Sequence, residues 1–321
     1  MSRPETLTML VKSVTWEAQG IVSFDLRPTD TGVLPPFTAG AHIDLHLPNG
    51  LVRSYSLMNP QEERHRYLVA VNRDAASRGG SSCLHDTVRV GQTLPVGLPR
   101  NNFPLAEDAA DSVLIAGGIG ITPMWCMVQR LAALKQRWTL YYCTRSRAHA
   151  AFLPEVLALA ARSGGTVVTH FDQESAGKLL DLAQVVAKAA PQAHLYCCGP
   201  LPMLAAFEAA TAGHPPRQVH VEYFAAREAP ATQGGFTVVL ARSGRELQVP
   251  EGRSILDVLL DADVDVLYSC TEGVCGACET RVLEGTPDHR DLVLSKDEQA
   301  AGRTMMICCS GSKSPRLVLD L

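Results

Sequence analysis

The chain has 321 residues, of which 46% are hydrophobic and 19% charged, enough apolar material for two or three cores. A net charge of −4 gives no reason to expect nucleic acid or anionic lipid as a partner. No apolar run approaches the ~18 residues of a membrane span, and "MSRPETLTML" lacks a signal-peptide pattern, so a cytoplasmic protein is expected.

The first hundred residues read as strands. In "AHIDLHLPNGLVRSYSL", Ile43, Leu45 and Leu47 alternate with His42, Asp44 and His46, which puts the three polar residues on the solvent face. Asn49-Gly50 then suits a type I′ hairpin, with positive φ at both residues. With "SVTWEAQGIVSFDLRP" before it and "RYLVAVNR" after it, the segment predicts an antiparallel barrel. Along "RSYS", Arg53 and Tyr55 share one face and Ser54 and Ser56 the other. Gly79-Gly80-Ser81 ahead of "SCLHDTV" suits a phosphate-binding helix start.

From about Leu105 strands alternate with helices, predicting a parallel, doubly wound α/β sheet. "LIAGGIGITP" joins a buried strand to a helix. There Gly117, Gly118 and Gly120 let a pyrophosphate approach the helix N-terminus, while Pro123 stands in the last glycine position of G-x-G-x-x-G. After the next strand, "TRSRAH" offers Arg145, Ser146 and Arg147 to a 2′-phosphate, with no acidic residue there for a ribose 2′-hydroxyl.

"AAREAPATQGG" (Ala225 to Gly235) has no periodicity and reads as a flexible linker. Beyond it come a hairpin turning at Ser243-Gly244, the helix "SILDVLLDADV" and a last strand, "PRLVLDL". Residues 236–321 hold 9 Lys and Arg against 14 Asp and Glu, an acidic surface suited to docking on a basic partner.

Ten cysteines are sparse for a disulfide scaffold, and five fall in the last 52 residues. Cys83, Cys126, Cys143, Cys197 and Cys198 are scattered and read by default as small buried hydrophobes. Cys270, Cys275 and Cys278 are spaced C-x4-C-x2-C, and the next cysteine lies 30 positions on. Structural zinc favours two close ligand pairs, whereas this is the plant-type [2Fe–2S] spacing. Gly273 and Gly276 would let backbone N–H groups wrap close to sulfur. "MMICCSG" offers Cys308 and Cys309 as fourth ligand, and neighbours on an extended segment face opposite ways, so one sulfur alone should reach iron.

The succession "RSYS", "SRGGSS", "GGIGITP", "YCCGP", "YFAA" and the cysteine motif resembles the phthalate dioxygenase reductase family over essentially the whole chain. These are reductase components of Rieske-type aromatic oxygenases, with vanillate demethylase reductases as near relatives. The resemblance implies an FMN-binding antiparallel β-barrel at 1–104 and a nicotinamide-binding α/β domain at 105–226. A linker at 227–235 and a β-grasp-like plant-type ferredoxin domain at 236–321 would follow. It implies that Arg53, Ser54, Tyr55 and Ser56 hold flavin, with Tyr55 against the ring, Ser56 near N5 and Arg53 toward the phosphate. Arg78, Gly79, Gly80, Ser81 and Ser82 would close over the phosphate, and Phe224 would cover the other face of the ring. Gly117, Gly118, Gly120, Thr122 and Pro123, with Cys198, Gly199 and Pro200, would take NADH in preference to NADPH. Cys270, Cys275, Cys278 and Cys308 would carry the cluster, leaving Cys309 a buried thiol. The implied role is electron delivery by a monomer from NADH through FMN and [2Fe–2S] to a Rieske-type oxygenase, docked through the acidic domain. The alternative is a free-standing NAD(P)H:flavin or ferric reductase.

Overall fold

The computed structural model describes residues 6–30, 32–75 and 77–321; the first five residues, part of the stretch read for a targeting signal, lie outside them. Two units are formed, Thr6–Glu222 and Tyr223–Leu321.

The first unit begins with β1 (Thr6–Ala18), β2 (Ile21–Pro28), β3 (His42–His46), β4 (Val52–Ser56) and β5 (Tyr67–Asn72), then helix α1 (Gly80–Asp86) and β6 (Thr93–Gly97). These strands make one antiparallel sheet in the order β4-β3-β6-β1-β2-β5. Its edges approach where Met58, just past β4, donates its N–H to the Leu68 carbonyl of β5 at 3.0 Å. Phe24, Leu26, Ile43, Leu45, Tyr67 and Val69 are fully buried, as the period-2 pattern predicts for a barrel interior.

Two local expectations are corrected. His42 and Asp44 are not solvated but buried, because the chain after β6 crosses over them: His42 and Arg100 exchange backbone hydrogen bonds, and Arg100 Nη2 lies 2.8 Å from Asp44 Oδ2. Ser54 Oγ also donates to Asp44, at 2.7 Å. The β3–β4 connection is not a two-residue I′ turn. Leu47 and Leu51 close it, Gly50 has φ 82° and Asn49 is not left-handed. The Asn49 side chain instead donates to the Gly79 carbonyl at 2.9 Å, tying this turn to the start of α1.

The parallel layer follows: β7 (Asp111–Gly117), α2 (Ile121–Ala133), β8 (Arg137–Thr144), α3 (Leu153–Ser163), β9 (Thr166–Phe171), α4 (Leu182–Lys188), β10 (His194–Cys198), α5 (Leu201–Thr211) and β11 (Val219–Glu222). The order β11-β10-β7-β8-β9 reverses direction between β7 and β10, a topological switch point. Met124, Met127, Val128 and Leu131 of α2 are fully buried. Burying each is worth about 1.5–3 kcal/mol, so packing and not intrinsic propensity holds a helix this short. Sheet and barrel share one core. Cys126 of α2 contacts the Asn59 carbonyl at 3.3 Å, Gln129 donates to the Met58 carbonyl at 2.9 Å, and the Phe103 and Tyr196 rings meet edge to face at 5.8 Å.

The second unit contains β12 (Phe236–Leu240), β13 (Glu246–Val249), α6 (Ile255–Asp261), β14 (Glu279–Glu284), β15 (Pro287–Asp288), α7 (Lys296–Ala301), β16 (Thr304–Met306), β17 (Gly311–Ser312) and β18 (Arg316–Leu319). Its main sheet runs β13-β12-β18-β14-β16, with β12 and β18 parallel, and α6 buries Ile255, Leu256 and Leu259, a β-grasp arrangement as expected. The segment before it lacks regular structure but is not a free tether. Ala231 is buried and donates its N–H to the Cys309 carbonyl at 2.7 Å, and Glu228 pairs with Arg290 at 3.0 Å. Among the described residues no helix is long and apolar enough to cross a membrane.

Candidate functional site

On the barrel, strand β4 carries the expected flavin residues. Tyr55 stands opposite Ile43 and Arg53 opposite Leu45, while Ser54 faces Asp44 and Ser56 faces His42. A Cβ on Gly80 would lie 2.8 Å from Arg53 Cγ, so glycine at the start of α1 lets the Arg53 side chain lie against that turn. Ser77 Oγ organises the same turn by accepting from the N–H groups of Gly79 and Ser82 and from Ser81 Oγ. Arg53 and the 78–82 segment, 25 residues apart in sequence, are thereby brought together. Arg78 is exposed. Burial holds the Tyr55 hydroxyl well above its ordinary pKa. Ser56 Oγ is buried with no hydrogen-bond partner among the described residues. Leaving such a hydroxyl unpaired costs about 1–3 kcal/mol, and a hydrogen-bonding ligand edge is the partner it fits. Ser54, engaged with Asp44, belongs to the scaffold of this strand.

At the switch point the two glycine-rich turns press against each other. A Cβ on Gly120 would meet the Cys198 carbonyl oxygen at 2.1 Å, and one on Gly117 would meet Pro200 and Met203 within 2.8 Å. These two glycines are therefore already required by backbone packing. Gly118 differs: its φ is 55° and nothing lies within 4 Å of the Cβ position, which leaves open space at the end of β7 for a ligand. Thr122 is buried and its hydroxyl donates to the Ile119 carbonyl at 3.0 Å, fixing the first turn of α2 beside Pro123.

Sequence reasoning missed Glu222. Parallel register sets it directly beside the fully buried Cys198 at the strand ends; Glu222 itself is part-buried, with Oε2 shut off from water and lacking a partner among the described residues. Burial pushes its carboxyl up to about 8, against a smaller opposing effect of the hydrogen bond to Cys198. Burial likewise holds the Cys198 thiol protonated. "VHVEYF" carries no signal for this, because the burial comes from strand pairing. Phe224 lies two residues further on, in the second unit, and its ring is exposed.

In the second unit the loop between α6 and β14 coils through Thr271 (φ 60°), Gly273 (φ 70°) and Gly276 (φ 75°) and buries Cys270, Cys275 and Cys278. Backbone N–H groups point at sulfur: Glu272 N–H at Cys270 Sγ (3.3 Å), Val274 N–H at Cys270 and Ala277 N–H at Cys275. Cys275 and Cys308 lie within reach of the Cys270 sulfur. The pairing of Glu279 with Met306 carries Cys278 and Cys308 to neighbouring strand ends. Residues 307–309 form a turn and not the expected extended segment, and both thiols are buried. Cys309 packs under the loop, where a Cβ on Gly273 would lie 2.4 Å from its sulfur. Asp291, also unforeseen, braces the loop: its carboxylate accepts from the N–H groups of Val293 and Leu294, and Leu292 donates to the Gly273 carbonyl. A buried set of four thiols with N–H donors aimed at sulfur fits a [2Fe–2S] cluster.

A barrel and a switch-point sheet in one unit, with a β-grasp cysteine loop in the next, define a pyridine-nucleotide-dependent flavin and iron–sulfur reductase. Family models agree: "2Fe-2S iron-sulfur cluster binding domain" matches residues 238–312 and "Oxidoreductase NAD-binding domain" residues 114–209. The chain is 56% identical to the phenoxybenzoate dioxygenase subunit beta of Ectopseudomonas oleovorans, covering 98% of this chain and 97% of that one. It is 52% identical to the tetrachlorobenzoquinone reductase of Sphingobium chlorophenolicum, over the full length of both. Among solved structures, phthalate dioxygenase reductase is 42% identical with a TM-score of 0.74 and 98% coverage of each chain. An intact type IV self-sufficient cytochrome P450 monooxygenase is 39% identical with a TM-score of 0.88; 98% of this chain spans 41% of that one. The protein belongs to the phthalate dioxygenase reductase family. The matched family models describe a [2Fe–2S] cluster and a nicotinamide dinucleotide.

Two outcomes follow. Cys308→Ser should lose the visible [2Fe–2S] absorbance while Cys309→Ser keeps it, as read from spectra and iron content of the purified variants. Glu222 keeps its proton in the folded state up to about 8 but ionises near 4.5 when unfolded. Protons are therefore released on unfolding, and stability falls as pH rises through that window. Glu222→Gln should flatten the decline of Tm between about pH 5 and 8.

Proposed function

We propose that this chain takes electrons from NADH and delivers them singly to a Rieske-type aromatic oxygenase component, as a monomer in the cytoplasm. The observation that carries the reading is the presence of all three sites, in family order, on a chain 56% identical over nearly its whole length to a dioxygenase subunit. When bound, FMN and [2Fe–2S] convert two-electron donation into one-electron delivery. The residues supply binding and orientation. Arg53 and the Arg78–Ser82 segment hold the flavin phosphate, Tyr55 flanks the ring and Ser56 offers its hydroxyl to N5.

Gly118 gives the dinucleotide backbone room at the end of β7, and Gly117, Gly120, Gly199 and Pro200 hold the two turns together beneath it. Cys198 and protonated Glu222 border the nicotinamide. Both stay uncharged near neutral pH, so the wall beside the ring is desolvated and holds a proton on a fixed carboxyl group. Cys270, Cys275, Cys278 and Cys308 ligate the cluster.

Docking is assigned to the surface leading into the cysteine loop, where Asp263, Asp265, Leu267 and Tyr268 are all exposed. Apolar groups ringed by acid suit a partner with a basic rim around an apolar pocket. A second reading, direct reduction of a quinone, is favoured by the 52% identity to a tetrachlorobenzoquinone reductase.

One set of assays separates these readings. Cys275→Ser should retain NADH-to-flavin reduction, followed by flavin bleaching, and lose turnover of the oxygenase. Quinone reduction that survives Cys275→Ser at the wild-type rate, with no response to any oxygenase component, would favour the second reading. Asp263→Lys/Asp265→Lys should raise KM for the oxygenase about tenfold at low salt and progressively less at high salt. Rates with small acceptors should be unaffected.

A further inference from the structure

Arg147, three residues past the end of β8, does not stand free. Its Nε and Nη2 donate to Oε1 and Oε2 of Glu174 at 2.7 and 3.0 Å, a two-pronged pair. Its guanidinium carbon lies 4.6 Å from the centroid of the buried Phe171 ring, the last residue of β9. The two strand ends are joined as well, since Asp172 donates its N–H to the Thr144 carbonyl and Gln173 to that of Arg145, each at 3.1 Å. An acidic residue 27 positions downstream is thus delivered to the "TRSR" segment by the parallel pairing of β8 and β9.

The location gives the pair its meaning. In a doubly wound sheet the dinucleotide lies across the strand C-termini at the switch point, and the adenosine ribose reaches the strand next to the glycine turn. Here that strand is β8, adjacent to β7. On these strand ends Arg147 meets Glu174, and Arg145 and Asp172 lie on the same two segments. A 2′-phosphate would find the charge of Arg147 already matched by Glu174 and its Nε–Nη2 edge occupied. Both partners are at least half exposed, so the pair contributes little to stability. Its consequence lies in what the site binds.

We propose that Glu174 selects NADH over NADPH by occupying the edge of Arg147 that a 2′-phosphate would otherwise take and by placing a negative charge beside it. This rests on the assignment of the nicotinamide dinucleotide to the turn at Gly117–Pro123.

The test uses the full chain carrying flavin and cluster, with steady-state oxidation of NADH and of NADPH by ferricyanide. The quantity read is the ratio of kcat/KM for NADPH to that for NADH. Glu174→Ala should raise this ratio about tenfold to a hundredfold, through a lower KM for NADPH, the scale of one charge-assisted contact. Glu174→Gln should give a smaller rise, because an amide still engages Arg147 but carries no charge. Arg147→Ala added to Glu174→Ala should abolish the gain. An unchanged ratio in Glu174→Ala, or a gain that persists without Arg147, overturns the proposal. A wild-type protein that retains flavin absorbance but oxidises neither coenzyme would instead overturn the dinucleotide assignment.

Discussion

Helix α2 is the element on which the first unit depends. One side of it packs on the parallel sheet, and the other reaches the barrel through Cys126 and Gln129, which meet the carbonyls of Asn59 and Met58. Those carbonyls follow immediately on β4, the strand that bears Arg53, Tyr55 and Ser56. The same helix opens with Thr122 and Pro123 at the dinucleotide turn. A single rigid, buried rod therefore sets the distance between the flavin residues and the nicotinamide turn. Close packing permits little slack there, since a shift of either end would open voids around Met124, Met127 and Val128.

The cysteine loop obeys a different constraint. It has almost no regular hydrogen bonding, and its conformation is held from outside, by Asp291 and Leu292 on one flank and by Cys309 beneath Gly273. Thr271, a β-branched residue at φ 60°, is held in a conformation such residues avoid, the kind of local strain that surrounding structure must over-determine. Sheet register does the remaining work by bringing the ends of β14 and β16, and with them Cys278 and Cys308, to one place. A residue buried as a plain thiol, Cys309, thus still shapes the site.

Much of this was legible in the chain as text. The change from period-2 alternation to strand–helix repeats marks the passage from barrel to parallel sheet. The C-x4-C-x2-C spacing points to two irons in preference to one zinc. The readings that needed correction share a cause. His42 and Asp44 alternate with apolar residues as a solvated face would, but Arg100 covers them from 58 and 56 residues away. Asn49-Gly50 has turn chemistry, but the asparagine side chain is used on Gly79. The segment around Ala231 has linker composition, yet its backbone is bound to Cys309. In each case a contact distant in sequence overrode a correct local preference.

By itself the sequence determined the order of the three chemistries, the elements that carry them and the residue types each site uses, because periodicity, turn residues and ligand spacing are properties of neighbours along the chain. The tertiary structure decided which glycines serve packing and which leaves open space, and that a carboxyl oxygen of Glu222 is shut off from water beside Cys198. It also decided that Glu174 answers Arg147 after β8. These depend on which strands lie side by side and what that pairing shuts off from water. Burial and charge neutralisation arise between groups that meet only after the chain has folded.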